Sequence, residues 1–267
     1  MRLYVKDKPT SKILGVITIA SELISIGVRD DYIGWDNNMK MNLKKINHSA
    51  IGSSIIGVQP FGYNFLGGKL IACMATSPRV RELWKERYGD DLVSLTTTSL
   101  FGSFSMYNNI PLWKKIGSSD GQIILKPDPK IYSFWRDWFR KNHSEIFNNL
   151  QVQSSPKQRV LARILNMLGI NGRDYYVNQK RGVYFAQFYR NSKEFLSNKI
   201  EHSELVEDQR YTDEYILNWW KPKAIKRYQN LKKDNRLNTE ELWYENVEDQ
   251  LDTFKSWLNV RGVKYYD

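Results

Sequence analysis

The stretch of sequence best suited to chemistry is a strand, a loop and a helix start. Ile55 to Gln59 is followed by Pro60-Phe61-Gly62-Tyr63-Asn64-Phe65-Leu66-Gly67-Gly68, and an apolar helical run then begins at Lys69. Glycines at a helix start let backbone N–H groups turn outward, where unpaired amides and the positive dipole end attract an anion such as a pyrophosphate. Asn64, Gly67, Gly68 and Lys69 are therefore candidates for holding a CoA thioester or another phosphate-bearing donor. The spacing is neither GxGxxG nor a Walker loop, and the same glycines would also allow close strand-helix packing. Tyr107, shortly after the β-branched run Leu92 to Thr98, could protonate a leaving thiolate; a buried tyrosine with a satisfied hydroxyl is the alternative. Asp30 and Asp31, between Arg29 and Tyr32, offer carboxylates beside a cation and an aromatic wall, able to orient an amine or act as a base. A solvated turn with local ion pairs has the same composition. Trp35 either stacks on a base or packs in the core.

A second kind of signal lies further along. Ser133-Phe134-Trp135-Arg136-Asp137-Trp138-Phe139-Arg140-Lys141 interleaves aromatic and basic residues, as does Asn218 to Tyr228. Aromatic faces stack on bases while Arg and Lys hold phosphates, so Arg136, Arg140 and Lys141 form one candidate DNA-binding patch. Lys221, Lys223, Lys226 and Arg227 form another. Phe134 with Trp138 and Trp135 with Phe139 are i, i+4 pairs, so at least one pair belongs in a core, and both are assigned there.

These residues need elements to position them. Strands are expected at Lys12 to Ile19, Ile51 to Gln59, Leu92 to Thr98, Gln122 to Lys126 and residues 181–189. Helices are expected at Asn37 to His48, Lys69 to Tyr88 with a break at Ser77-Pro78 and a stop at Gly89, and Tyr107 to Ile116. Further helices are expected at Ile131 to Leu150, Pro156 to Leu168, Asp213 to Lys233 and Glu240 to Val260. Ile55 to Gln59 and Leu92 to Thr98 should be neighbouring parallel strands, because a helical crossover joins them.

Composition excludes several classes. With 267 residues, 41% hydrophobic, and nine Trp, sixteen Tyr and eleven Phe, the chain can build a real core. One cysteine rules out an internal disulfide and Cys-based zinc, and His48, His143 and His202 are too few for a His-rich site, so no metal is expected. Cys73, among Ile71, Ala72 and Met74 with no adjacent His, does not read as a nucleophile. Without a leader pattern or an apolar run near the roughly 18 residues that span a bilayer, a cytoplasmic protein with no membrane partner is expected. The net charge of +11 is uneven: +6 over residues 1–117, +8 over 118–199 and −3 over 200–267. A basic middle segment points to a polyanionic partner, and DNA is the expected one.

Several segments together resemble a known family. They are Leu14-Gly15, Val28-Arg29-Asp30-Asp31-Tyr32-Ile33-Gly34-Trp35, Asn42-Leu43, Gly57-Val58, Trp84-Lys85-Glu86-Arg87-Tyr88-Gly89-Asp90, Tyr107-Asn108 with Trp113, and Gly117 followed by Gly121. Over residues 12–121 the chain resembles the DruA family of the Druantia anti-phage system, also found in phages and mobile elements. The resemblance implies a core similar to the GNAT acyltransferase fold, in which a central strand splays open and the next loop binds the CoA pyrophosphate. The Mom DNA-modification proteins of phages share a similar core. Two departures stand out: Tyr63 to Gly68 lacks the leading basic residue of a GNAT pyrophosphate loop, and Thr96-Thr97-Thr98-Ser99 replaces a stretch carrying an Asp in Mom-like sequences.

The expected fold class is α/β: a GNAT-like mixed central sheet with flanking helices and a mainly helical C-terminal extension. Its expected division is 1–126 for the core and 127–267 for the extension, with 181–189 returning one strand to the sheet. Two functions stay open on the residues. One is a DNA-associated phage or defence protein transferring an acyl or related group to a DNA base; the other is a non-catalytic module binding DNA or a protein partner.

Overall fold

A computed structural model of the chain describes residues 1–99, 105–124, 127–152, 156–171 and 176–239. The chain divides into two compact units, one made of Met1–Ser119 and the residues from Gly182 onward, the other of Asp120–Arg181. In chain order the elements are β1 (Arg2–Lys6), β2 (Ile13–Ser21), α1 (Gly27–Ile33), β3 (Ser49–Gly57), α2 (Phe61–Asn64), α3 (Gly67–Met74), α4 (Pro78–Tyr88), β4 (Ser94–Ser99) and β5 (Lys114–Ile124). They continue with α5 (Pro129–Asn142), α6 (Ser144–Gln151), α7 (Pro156–Met167), β6 (Tyr176–Gln187), α8 (Ser192–Leu196) and α9 (Asp213–Lys233).

Six strands form one mixed sheet in the order β1-β2-β3-β4-β6-β5. β1 with β2 and β2 with β3 are antiparallel, β3 with β4 is parallel, and β4 with β6 is antiparallel. The expected parallel neighbours are therefore present, joined by the crossover that carries α2, α3 and α4. Their pairing is short: Ser49–Ile51 meets Ser94–Thr96 and goes no further. Beyond that point β3 stays on β2 as far as Gly57, and β4 stays on β6 as far as Ser99. The sheet thus opens between its two central strands.

Both faces of the sheet are covered, and β6 shows how. Its alternating side chains send Tyr184 and Ala186 one way and Val183 and Phe185 the other, all essentially fully buried. The first face packs Ile17, Ile19, Ile55 and Leu95 against Leu70 and Ile71 of α3, Val80 and Trp84 of α4, and Ile216 of α9. The second gathers Val93 and Phe185 with Ile33 of α1, Trp35, and Phe195 and Leu196 of α8. In the second unit, α5, α6 and α7 close around Phe139, Val160 and Ile164.

Several expected elements are confirmed at their boundaries. Pro78 opens α4 and Gly89, at φ 80°, ends it, so the run from Lys69 is two helices. α9 has the expected limits, with the Thr212 hydroxyl accepting from the Tyr215 N–H. Others are corrected. Asn37 to His48 is not an amphipathic helix but a π turn (Asn38–Asn42) and a 3₁₀ turn (Lys45–His48), because Lys44 between them takes a left-handed φ of 53°. Tyr107 to Ile116 is not a helix either: Asn109 at φ 60° and Pro111 break it into turns, and β5 already begins at Lys114. Ile131 to Leu150 is two helices parted at His143, whose φ of −137° and ψ of 50° leave the helical region. β1, α1 and α8 carry no strong sequence signal. The expected helix at Glu240 to Val260 and the end of the strand at Lys126 lie outside the described residues.

Candidate functional site

The α3 start is built by close approach. A side chain at Gly57 would meet the Gly68 backbone nitrogen at 2.8 Å, and one at Gly15 would meet Ile71 at 2.4 Å, so glycines on β2 and β3 let α3 lie directly on the sheet. The two glycines of α3 differ. A Cβ on Gly67 would fall 2.3 Å from the Phe61 ring and 2.8 Å from the Phe61 carbonyl oxygen, so the space beside it is filled by protein. A Cβ on Gly68 would meet only the Met106 sulfur, at 3.2 Å. The polar groups nearby are also engaged. The Lys69 ammonium donates to the carbonyls of Met106 and Asn108, and burial lowers its pKa. The Asn64 amide donates to the Asn238 carbonyl at 2.8 Å and accepts from the Asn238 N–H at 2.9 Å, pinning the segment after α9.

Tyr107 sits at the opening between β3 and β4. It is 5% exposed, packed against Trp113 and Tyr184, and hydrogen-bonded to Thr97. The Thr97 hydroxyl donates across the opening to the Gly52 carbonyl at 2.8 Å, so the Tyr107 hydroxyl is the donor to Thr97. Burial pushes the Tyr107 pKa up to about 12, so the phenol is protonated at neutral pH and is a weaker acid than an exposed tyrosine. The Cys73 thiol is likewise pushed up to about 12 by burial, the opposite of an activated nucleophile.

On the α1 side lies a network that the sequence reading did not assemble. Arg29, fully buried, meets Glu22 Oε1 at 2.7 Å through Nη1 and Asp30 Oδ1 at 2.5 Å through Nη2. Lys40, 4% exposed, donates to Asp30 Oδ2 at 2.8 Å and to the Ile24 carbonyl at 3.0 Å. Glu22 Oε2 accepts from Ser49 at 2.9 Å, and Ser49 in turn accepts from Ser94 at 2.8 Å. Two carboxylates and two cations thus neutralise one another, and both Asp30 oxygens are occupied by cations. Asp31, one residue along α1, is exposed. Trp35 lies under the Arg29 guanidinium, 5.0 Å from ring centroid to carbon, and its indole N–H donates to the Leu196 carbonyl at 2.7 Å. At 7% exposure its faces are occupied by protein. The Arg29-Asp30 doublet was the one sequence signal for this network; Glu22, Lys40, Ser49 and Ser94 join it only through the fold.

The basic patches are surface features. On α5, Arg136 and Arg140 are one turn apart, while Lys141 lies on a different stripe. Arg136 pairs with Asp137 at 2.8 Å; Arg140 and Lys141 are exposed. Of the two aromatic pairs, Phe139 is fully buried with Trp135 packed against its cluster, whereas Phe134 is 66% and Trp138 40% exposed. The core assignment therefore holds for one pair and is corrected for the other, because α5 turns Tyr132, Trp135 and Phe139 to the apolar clusters of the small unit and Phe134 and Trp138 away from them. On α9, Lys221, Lys223 and Lys226 are exposed, with the Lys223 ammonium 4.8 Å over Trp219. The Arg227 guanidinium covers the Tyr63 ring at 4.8 Å. At about 100° per residue, Lys221 faces nearly opposite to Lys223, so these four do not form one face.

Among the described residues no cluster of three or more His, Cys, Asp or Glu is arranged to hold a metal, and no helix is long and apolar enough to cross a membrane.

A family model described as Druantia protein DruA matches residues 1–198. A curated Druantia protein DruA from Escherichia coli (strain UMEA 4076-1) is 25% identical over 248 residues, an alignment covering 85% of this chain and 61% of the relative. The chain thus spans about three-fifths of that relative's length. No solved structure matches.

Proposed function

The chain belongs to the DruA family of the Druantia anti-phage defence system, and from that premise we propose that it acts as a DNA-contacting module whose second unit supplies the contact surface. One observation carries this reading. Residues 120–181 hold 11 basic and 5 acidic residues, a net of +6 in a small unit, and α5 exposes Phe134 and Trp138 among Lys130, Arg140 and Lys141. Positive charge gives counterion release at phosphates, and exposed rings give stacking surfaces.

Replacing Arg136, Arg140 and Lys141 together by Ala should flatten the plot of log affinity against log salt by about 2 to 3, since each phosphate contact contributes about 0.9 on duplex DNA. Arg140 and Lys141 should account for most of it, because Arg136 is already paired with Asp137. Fluorescence anisotropy with labelled DNA over a salt series measures this. An unchanged slope in a folded triple variant removes this surface from the account, and the corresponding substitutions at Lys221, Lys223, Lys226 and Arg227 then test α9.

A second reading is favoured by a separate observation, the parallel β3/β4 pair that opens past Ile51 and Thr96 with the protonated Tyr107 hydroxyl at the opening. That arrangement supports a GNAT-like core, in which Gly68 and its neighbours would receive a phosphate-bearing donor and Tyr107 would protonate the leaving thiolate. Against it stand the filled space beside Gly67 and the engaged Asn64 and Lys69. A donor present at 100 times its dissociation constant raises stability by about 2.7 kcal/mol. Thermal melts with acyl-CoA, aminoacyl and nucleotide candidates should show no shift if the chain is a binding module alone.

A further inference from the structure

We infer that the α5 surface is built for unpaired DNA strands rather than for the duplex. The inference rests on the DNA-contact reading above and names the form of DNA. Lys130, Phe134, Trp138 and Lys141 follow one another at intervals of four, four and three residues, which places them in a single row along one side of α5, about 16 Å from end to end. Phe134 is 66% exposed and Trp138 40%, and Lys130 and Lys141 are exposed at either end.

The row is separate from the face α5 uses for folding. Phe139 fills the interior of the unit with Trp135 half-buried beside it, and Tyr132 packs against Leu161, whereas Phe134 and Trp138 join neither apolar cluster. Trp135 supports both: it meets Phe134 in a T-shaped contact at 5.6 Å and Trp138 in another at 5.8 Å, and His143 flanks Trp138 at 5.5 Å, leaving the remaining surface of each ring to solvent. Asp137 on the same helix does not oppose an anion, since Arg136 neutralises it at 2.8 Å.

A duplex hides the faces of its bases in its own stack and offers phosphates and groove edges; a single strand offers base faces beside phosphates. Two outward rings between two cations match the second pattern. Stacking on such rings is worth enough per base that its removal is readily measured.

Fluorescence anisotropy of the full chain with oligo(dT) and with a duplex of equal length tests the inference. Oligo(dT) should bind more tightly, and Phe134→Ala and Trp138→Ala should each weaken it about fivefold or more while changing duplex affinity by less than twofold. Trp138→Phe, which keeps a ring, should retain most of the binding. Equal or tighter duplex binding by the parent overturns the inference but leaves the DNA reading in place. So does unchanged oligo(dT) affinity in alanine variants that melt like the parent, the outcome expected if the row docks another protein. Binding of neither form defeats the DNA reading itself.

Discussion

Asp30→Ala is expected to destabilise the protein by about 3–5 kcal/mol, the usual consequence of removing one partner from a buried ion pair. The reason is local. Among the described residues Asp30 is the carboxylate that meets Lys40, and it shares Arg29 with Glu22. Without it, an ammonium 4% exposed and a guanidinium fully enclosed are left with one carboxylate between them. For a chain of this size the melting temperature should fall by roughly 6–20 °C. Asp31→Ala, on an exposed neighbour, should stay within about 0.5 kcal/mol of the parent. Adding Lys40→Met to Asp30→Ala should recover part of the loss, because the stranded charge is removed with its partner. Thermal and urea melts of the four proteins decide the matter. If Asp30→Ala melts like the parent and instead loses a binding or transfer activity, Asp30 is a working carboxylate and the network is not its reason for being there.

The same network explains where the sequence was hard to read. Patterning by hydrophobic period assigns charges to the outside, yet the π turn at Asn38–Asn42 buries Lys40 while leaving Met41 and Leu43 about half exposed. Of the apolar positions Met39, Leu43 and Ile46 that suggest a helix, Met39 and Ile46 do pack on the core while Leu43 points outward, because the π and 3₁₀ turns do not keep helical spacing. α1 escapes such patterning for the same reason, since Arg29 and Asp30 are among its buried residues. Strands with apolar alternation and helices with punctuation were legible: β2 and β6 by their β-branched and aromatic runs, α4 by Pro78 and Gly89, α9 by its cap. The parallel relation of β3 and β4 was legible because a helical crossover leaves few other ways to join two such strands. At the candidate site the glycines were visible in sequence, but not which one faces an aromatic ring. That depends on Phe61, Met106 and the angle at which α3 meets the sheet.

That difference between Gly67 and Gly68 yields the second large effect. Gly67→Val would place its Cβ 2.3 Å from the Phe61 ring and 2.8 Å from a backbone oxygen, so Phe61, buried in the main core, has to move. Overpacking of this kind costs about 1–3 kcal/mol, with further loss if the α3 start shifts away from Gly57. Gly68→Ala meets only the end of a flexible methionine at 3.2 Å, and in a helix the change from Gly to Ala is worth up to about 1 kcal/mol in its favour. The parent and Gly68→Ala should therefore melt within about 1 kcal/mol of each other, and Gly67→Val clearly below both. The pair also separates the two functional readings, because a donor phosphate at the α3 start needs the space at Gly68 and not that at Gly67. If an acyl-CoA or nucleotide raises the melting temperature of the parent but not of Gly68→Val, the helix start holds a donor and the transferase reading gains its site. If no candidate shifts the parent and Gly67→Val is merely unstable, the glycines serve close packing of α3 on β3, and DNA contact through α5 is the better account of the chain.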